Sequence, residues 1–354
     1  MNGLKTYKIT FTPTEPYFFG TEKTFRFPGQ KIEGQFDTPY FIRSERTPSQ
    51  TTMFGAVRYL LLKNRLPDFS GYPEGYEEII GKESFMISAP GRTFGKIHQI
   101  SPVFLQLKAD TRNKYPTGIY IPTPLDHNVS STQKIYTPYT RHSIEDGRQY
   151  APEYDPKRFL PDGYMHLASN TIVPGDAIFT SIVRVGINTV KQNKAYFKKE
   201  YAMLQEGWSF GIYLTVDDDA EIPGDKVVYL GQNKAAFLVS YSAEECSLPY
   251  VNDRTVLPEE GCIVCLSDTL TDNSIYRNCS MAITQIRDHR AFETIRQEEN
   301  GRPKIRKDSI LYKLVKAGSV FWYNTPDKRN DLLKALQNDH CAVAGMNRFA
   351  VFSI

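Results

Sequence analysis

Tryptophan is nearly missing from this chain of 354 residues, which has two, and there are only five cysteines. The cysteines, Cys246, Cys262, Cys265, Cys279 and Cys341, are odd in number and scattered, which excludes a disulfide framework and fits a reducing cytosol. No run approaches the ~18 consecutive apolar residues of a membrane span, and positions 1–8 hold no apolar signal core with a small-residue cleavage site. The expectation is a soluble, cytoplasmic protein. An excess of one charge is also lacking: 43 Lys and Arg stand against 40 Asp and Glu, a net charge of +3. A polyanionic partner would therefore be recognised by where the basic groups sit. There is neither a G-x-x-x-x-G-K-[ST] loop nor a G-x-G-x-x-G fingerprint, so nucleotide hydrolysis and dinucleotide chemistry have no support. The six histidines form no H-x-x-x-H or H-E-x-x-H pair that one helix could aim at a metal.

What is abundant is tyrosine (22), phenylalanine (21), glycine (23) and proline (22), in a chain 40% hydrophobic and 23% charged. That composition excludes disorder and coiled coils and points to a loop-rich, β-containing globular protein, by its length most simply in two domains. Residues 4–12 alternate with period two up to Pro13 and read as a half-buried strand. The clearest helix spans 50–65, with Ser49 as N-cap and Met53, Val57, Leu60 and Leu61 on one apolar face, while Arg58 points elsewhere. A strand interrupted by Pro102 is expected over 97–108, and further strands at 178–187, 208–216, 235–241, 261–266, 319–323 and 348–354. Residues 195–204 suit strand or helix, and a short helix is expected at 327–338. Residues 115–164 hold seven tyrosines and seven prolines without a sustained period and read as a long ordered insertion or mobile lobe. The sum predicts an α+β protein built as two ferredoxin-like (split βαβ, RRM-like) domains with long loop insertions, at 1–175 and 176–354.

Several motifs that could carry chemistry have plainer readings. Gly207-Trp208-Ser209-Phe210-Gly211 matches a nucleophile elbow, but strand residues follow where a helix is needed. Cys262-Ile263-Val264-Cys265 lacks a second pair at zinc spacing and reads as a buried strand. Asp217-Asp218-Asp219 reads as a solvated turn. His142, beside Arg141, is the histidine best suited to act as general base in an RNA-cleaving site, against the ordinary reading of a polar loop residue.

The basic groups are more informative. Arg302, Lys304, Arg306, Lys307, Lys313 and Lys316 form one cluster, and Lys191, Lys194, Lys198 and Lys199 form another, interleaved with Tyr196 and Phe197. Cations beside aromatic rings suit single-stranded nucleic acid, whose phosphates take the charge while splayed bases stack. The helix start at Ser49-Gln50-Thr51-Thr52 adds free N–H groups at the positive end of a dipole.

Together, Pro16-Tyr17-Phe18-Phe19-Gly20, Phe25, Ser44 and the run from Pro48 through Gln50, Thr51, Thr52 and Arg58 to Leu62 resemble the amino-terminal signature of the third subunit of the Cmr complex. That complex is the type III-B CRISPR effector of antiviral defence, and the subunit belongs to the repeat-associated mysterious protein superfamily. Val185-Gly186-Ile187-Asn188, Glu200-Tyr201, Ala317-Gly318-Ser319-Val320-Phe321-Trp322-Tyr323 and Gly345-Met346-Asn347-Arg348-Phe349 continue the likeness in order. The resemblance implies a non-catalytic subunit with two ferredoxin-like domains and no cofactor or metal. Such a subunit holds the repeat-derived 5′ tag of the CRISPR RNA and bridges the large polymerase-type subunit to the first backbone subunit. RNA contacts are then expected from Ser44, Gln50, Thr51, Thr52, Arg58, Arg184, Gly186, Asn188, Lys191, Arg306, Lys307, Asn347 and Arg348. The chain departs from the pattern at Arg184, where the family often has histidine, and at Gly231-Gln232-Asn233, where paired glycines and an acid are usual. The alternative reading is a CRISPR RNA-processing endoribonuclease using His142.

Overall fold

In the computed structural model, the described residues are 3–20, 25–26, 31–32, 35–36, 40–62, 75–110, 114–129, 136–138, 142–143, 149–150, 162–188, 195–222, 226–251, 256–290, 292–296, 303–307 and 310–353. They form a mixed α+β structure of mostly antiparallel sheets with few helices. The largest sheet has nine strands. From one edge its order is Ile172–Pro174, Gly163–His166, Gly118–Pro122, Phe104–Leu107, Trp208–Asp217, Leu4–Pro13, Ala235–Ala243 and Lys226–Leu230, with Ile97–Ile100 also on Trp208–Asp217. The expected period-two strand at the start is present, and Ile9 and Phe11 of Leu4–Pro13 point into the core.

Helix Gln50–Leu62 covers that face, and Met53, Phe54, Val57, Leu60 and Leu61 join Ile9, Phe11, Phe210, Ile212 and Phe237 in one core. Tyr17 and Phe19 enter the same core from the Pro16–Gly20 motif, with the Tyr17 ring 5.6 Å from that of Phe210 and 5.7 Å from that of Phe237. Phe18 points the other way, as alternation along an extended segment requires.

Two expectations change here. The division at residue 175 passes through this sheet, because Trp208–Asp217 pairs with Leu4–Pro13 from Leu4↔Asp217 to Phe11↔Phe210 and Ala235–Ala243 pairs along its other side. The boundary between sheets falls instead between Ala243 and Gly261. The 115–164 segment also contributes regular strands, since Gly118–Pro122 extends the sheet from Phe104–Leu107 and Gly163–His166 extends it further. Runs of three to five residues buried on both faces carry no readable period, which is why they look like loop in the sequence.

A second sheet of four strands runs Met281–Ile283, Val320–Tyr323, Gly261–Cys265, Phe349–Ser353. In chain order this is 2-3-1-4, with helix Ile275–Asn278 after the first strand and helices Pro326–Leu336 and Asp339–Val343 after the third. That is the β-α-β-β-α-β arrangement. Pro326 at the first helical turn and the Thr325 hydroxyl, which accepts the Lys328 N–H at 3.3 Å, start the longer helix. The centre of the nine-stranded sheet repeats the order, with Leu4–Pro13 between Ala235–Ala243 and Trp208–Asp217 and the 97–107 strands outermost, while strand Lys226–Leu230 stands where a second helix would be.

A third sheet places Phe179–Asn188 at its edge, then Ala195–Leu204, Tyr40–Arg43 and Phe25–Arg26. All ten residues of Phe179–Asn188 pair with Ala195–Leu204, which settles the latter as strand. A two-stranded ribbon, Ile286–His289 with Tyr312–Val315 and then Phe292–Arg296 with Pro303–Lys307, is inserted between the second and third strands of the four-stranded β-α-β-β-α-β sheet.

Candidate nucleic-acid interface

Five residues expected at RNA direct side-chain hydrogen bonds to partners within the protein. The break at Pro102 leaves backbone groups without sheet partners, and Gln50, 7% exposed, takes them up: its Nε2 donates to Ser101 O at 3.2 Å and its Oε1 accepts from Val103 N–H at 3.0 Å. The same amide nitrogen donates to Gly345 O, tying the helix start to the carboxy-terminal turn. Gly345 has φ 75°, and a Cβ there would lie 2.4 Å from Gln50 Nε2, so the turn needs glycine twice over. Ser44 Oγ accepts from Phe19 N–H at 2.9 Å and holds the aromatic motif in place. Arg58 donates to the carbonyls of Ile80 and Gly81, both at 3.1 Å, closing the end of helix Tyr76–Ile80. Buried Asn347 donates from Nδ2 to Leu270 O and Leu336 O and accepts Leu270 N–H at Oδ1. Arg348 donates to Gln99 Oε1 and to Ala342 O, with its guanidinium 5.3 Å from the Tyr250 ring centroid.

The Gln50–Gly345 and Arg348–Gln99 bonds, with two more contacts, form the seam between the nine-stranded and the four-stranded sheet regions. Arg287 pairs with Asp268 at 2.8 Å and Glu45 at 3.6 Å, while Asp268 also accepts the Ala317 N–H. Within the Ala317-Gly318-Ser319 turn, Gly318 N–H donates to Cys265 O and Gly318 O accepts from Leu125 N–H. At the helix start, the Ser49 hydroxyl accepts the Thr52 N–H at 3.2 Å and bonds the hydroxyls of half-buried Thr51 and Thr52.

Two of the other expected residues, Arg184 and Gly186, share one face of the third sheet. Cross-strand register places Arg184 opposite Lys199 and Gly186 opposite Phe197, and residues directly opposite share a face. The Phe197 ring lies over Gly186, where a Cβ would meet it at 2.2 Å. Buried Phe18 and Tyr201 stand behind this surface, their rings at 66° with centroids 5.8 Å apart. The Lys199 ammonium sits 3.8 Å from the Phe18 centroid and 5.3 Å from that of Tyr201. It donates to Asn233 Oδ1 at 2.7 Å, and Asn233 Nδ2 donates to the Tyr201 hydroxyl at 2.7 Å. Partial burial lowers the Lys199 pKa. Exposed Arg184 lies 5.0 Å over Tyr201, and among the described residues no carboxylate pairs with it.

The Gly231-Gln232-Asn233 turn, which the sequence left without a role, is thus one wall of the cluster, anchored by the Gln232 N–H to Phe18 O. Strand alternation divides the second basic cluster: Lys199 joins this face and exposed Lys198 the opposite one. Asn188 follows on the same strand, in register with Ala195, with its side chain outside the described set. Lys191 and Lys194 lie outside the described residues altogether. Arg306 and Lys307 stand opposite Glu293 and Phe292 in the ribbon, and His142 opposite Tyr150 in a short hairpin, described in backbone only.

Ser209 is fully buried within a continuous strand. Cys262 and Cys265 belong to separate core clusters, and among the described residues no group of three His, Cys, Asp or Glu side chains could hold a metal. Asp217 bonds His98 at 2.8 Å, and Asp219 pairs with Lys96 at 2.7 Å, which lowers the Asp219 pKa. No helix among the described residues is long and apolar enough to cross a membrane.

No family model matches the chain. No curated protein matches it either. Among solved structures it is similar to a chain of the type III-B Cmr-beta complex bound to cognate target RNA, with 12% identity, a TM-score of 0.49, and coverage of 98% of this chain and 99% of that one. A chain of the same complex with target RNA and AMPPnP gives 13% identity and a TM-score of 0.44 over 97% and 98%. A chain of the Csm3-Csm4 subcomplex of the type III-A CRISPR-Cas interference complex gives 11% and 0.37 over 90% and 93%. Likenesses at this level fix neither family nor function.

Proposed function

We propose that this chain is a non-catalytic, RNA-binding subunit of a type III CRISPR effector, corresponding to the third subunit of the Cmr complex. In this reading it holds the 5′ tag of the CRISPR RNA and bridges the large polymerase-type subunit to the first backbone subunit. Both sheets with the 2-3-1-4 order are read as ferredoxin-like units. The observation that carries the proposal is the surface made by Arg184, Phe197 and Gly186 over Lys199, Tyr201, Phe18 and Asn233. It offers a cation without a carboxylate partner among the described residues for a phosphate and the half-buried Phe197 ring for bases, the two things single-stranded RNA needs. It also brings together sequence motifs that resemble the family: the aromatic start, Val185-Gly186-Ile187-Asn188 and Glu200-Tyr201.

Photocrosslinking tests this directly. CRISPR RNA with 4-thiouridine in the tag should attach to peptides from 179–204 of the full chain. Crosslinks confined to other segments, or none above those of an untagged RNA, would contradict it.

A further inference from the structure

The two cations of the cluster are built differently. Arg184 is exposed on the edge strand, with its guanidinium carbon 5.0 Å over the Tyr201 ring. The Lys199 ammonium is committed to the protein: it lies against the Phe18 ring, donates to Asn233, and through Asn233 fixes the Tyr201 hydroxyl. Phe18 in turn is held by the 231–234 turn, since its carbonyl accepts the Gln232 N–H. An ammonium with an acceptor at 2.7 Å and a ring face at 3.8 Å would have to leave both to reach a phosphate. Its pKa, lowered by burial, agrees with a group already withdrawn from water.

We infer, resting on the RNA-binding reading above, that the cluster divides its cations between two tasks: Arg184 contacts a backbone phosphate of the single-stranded RNA, and Lys199 is a positioning residue that fixes the buried Phe18 and Tyr201 layer behind Phe197, the half-buried ring on which the neighbouring base stacks.

The two roles separate in salt dependence, because each phosphate contact on a single strand adds about 0.7 to the slope of log affinity against log salt. The assay uses the full chain with tag-bearing CRISPR RNA carrying 2-aminopurine in the tag. Arg184→Ala should reduce the slope by about 0.7 and leave much of the 2-aminopurine quenching in the saturated complex. Lys199→Met should weaken binding about three- to ten-fold with the slope unchanged and the quenching lost. Asn233→Ala, in an exposed turn, should reproduce the Lys199→Met signature, and the double variant should be little worse than either single one. If Lys199→Met destabilises the fold, Asn233→Ala carries the comparison alone. Lys199→Arg, which keeps a cation over Phe18, should restore quenching. A slope reduced by Lys199→Met, or quenching untouched by both Lys199→Met and Asn233→Ala, would overturn the division of labour while leaving RNA binding intact. Failure of the unaltered chain to bind would overturn the functional reading and the inference with it.

Discussion

The side chain of Gln50 reaches across 295 positions to the carbonyl of Gly345 while also bonding Ser101 and Val103. One amide thereby joins a helix start, the break in a strand and the last turn of the chain. A polar residue in the first helical turn can face a ligand or distant backbone, and here it faces backbone.

Gln50→Ala should accordingly lower stability by about 2–4 kcal/mol, because it leaves buried backbone groups without partners. Chemical denaturation of the purified variant measures this. RNA affinity of its folded fraction should equal that of the unaltered chain, and a selective loss of affinity at full stability would return Gln50 to the RNA surface.

The Arg287–Asp268 pair gives a second test of the seam. Both side chains are largely buried, at 19% and 12% exposure. Arg287→Met strands the Asp268 carboxylate and should cost about 3–5 kcal/mol. Restoring charge balance with Asp268→Asn in the same chain should recover part of that loss, as read by thermal denaturation.

Lys199 gives a pH signature. Its folded pKa lies below the ordinary lysine value of 10.5, so the unfolded chain binds more protons across the interval between the two. Stability contributed by this group is therefore complete above the unfolded value and lost as pH falls through the folded one. Relative to Lys199→Met, the unaltered protein should gain stability as pH rises toward the ordinary lysine value of 10.5. A flat difference would place Lys199 in open solvent, and a falling one would mean that the fold raises its pKa; either contradicts the burial.

Burial pushes the Cys265 thiol up to about 12. Native protein treated with iodoacetamide near neutral pH should therefore label Cys246 well before Cys265, and denatured protein should label both. Rapid native labelling of Cys265 would contradict its place between the sheet and the Pro326–Leu336 helix.

Much of the architecture is legible from the chain. Alternation marks Leu4–Pro13, and the spacing of Met53, Val57, Leu60 and Leu61 marks the first helix, because burial on one side imposes those periods, while Trp208–Asp217, buried on both faces, shows through its run of aromatic and β-branched residues. Strand order is not legible, since period two says which face of Leu4–Pro13 meets the core and nothing of its neighbours. The roles of Arg58 and Asn347 were hidden for a related reason: their partners, Ile80 and Leu270, are carbonyl groups that every residue carries. The interface was half visible. Lys199 and Phe197 stood out as a basic and aromatic run and Arg184 through its motif, but Phe18 and Asn233 join them only by tertiary contact.

The most direct test of the account is retention of labelled CRISPR RNA, with and without its 5′ tag, by the purified full chain alone and with the large polymerase-type subunit. The account predicts tag-dependent retention of intact RNA that weakens in Arg184→Ala. Retention indifferent to the tag, or a defined cleavage product lost in His142→Ala, would contradict it.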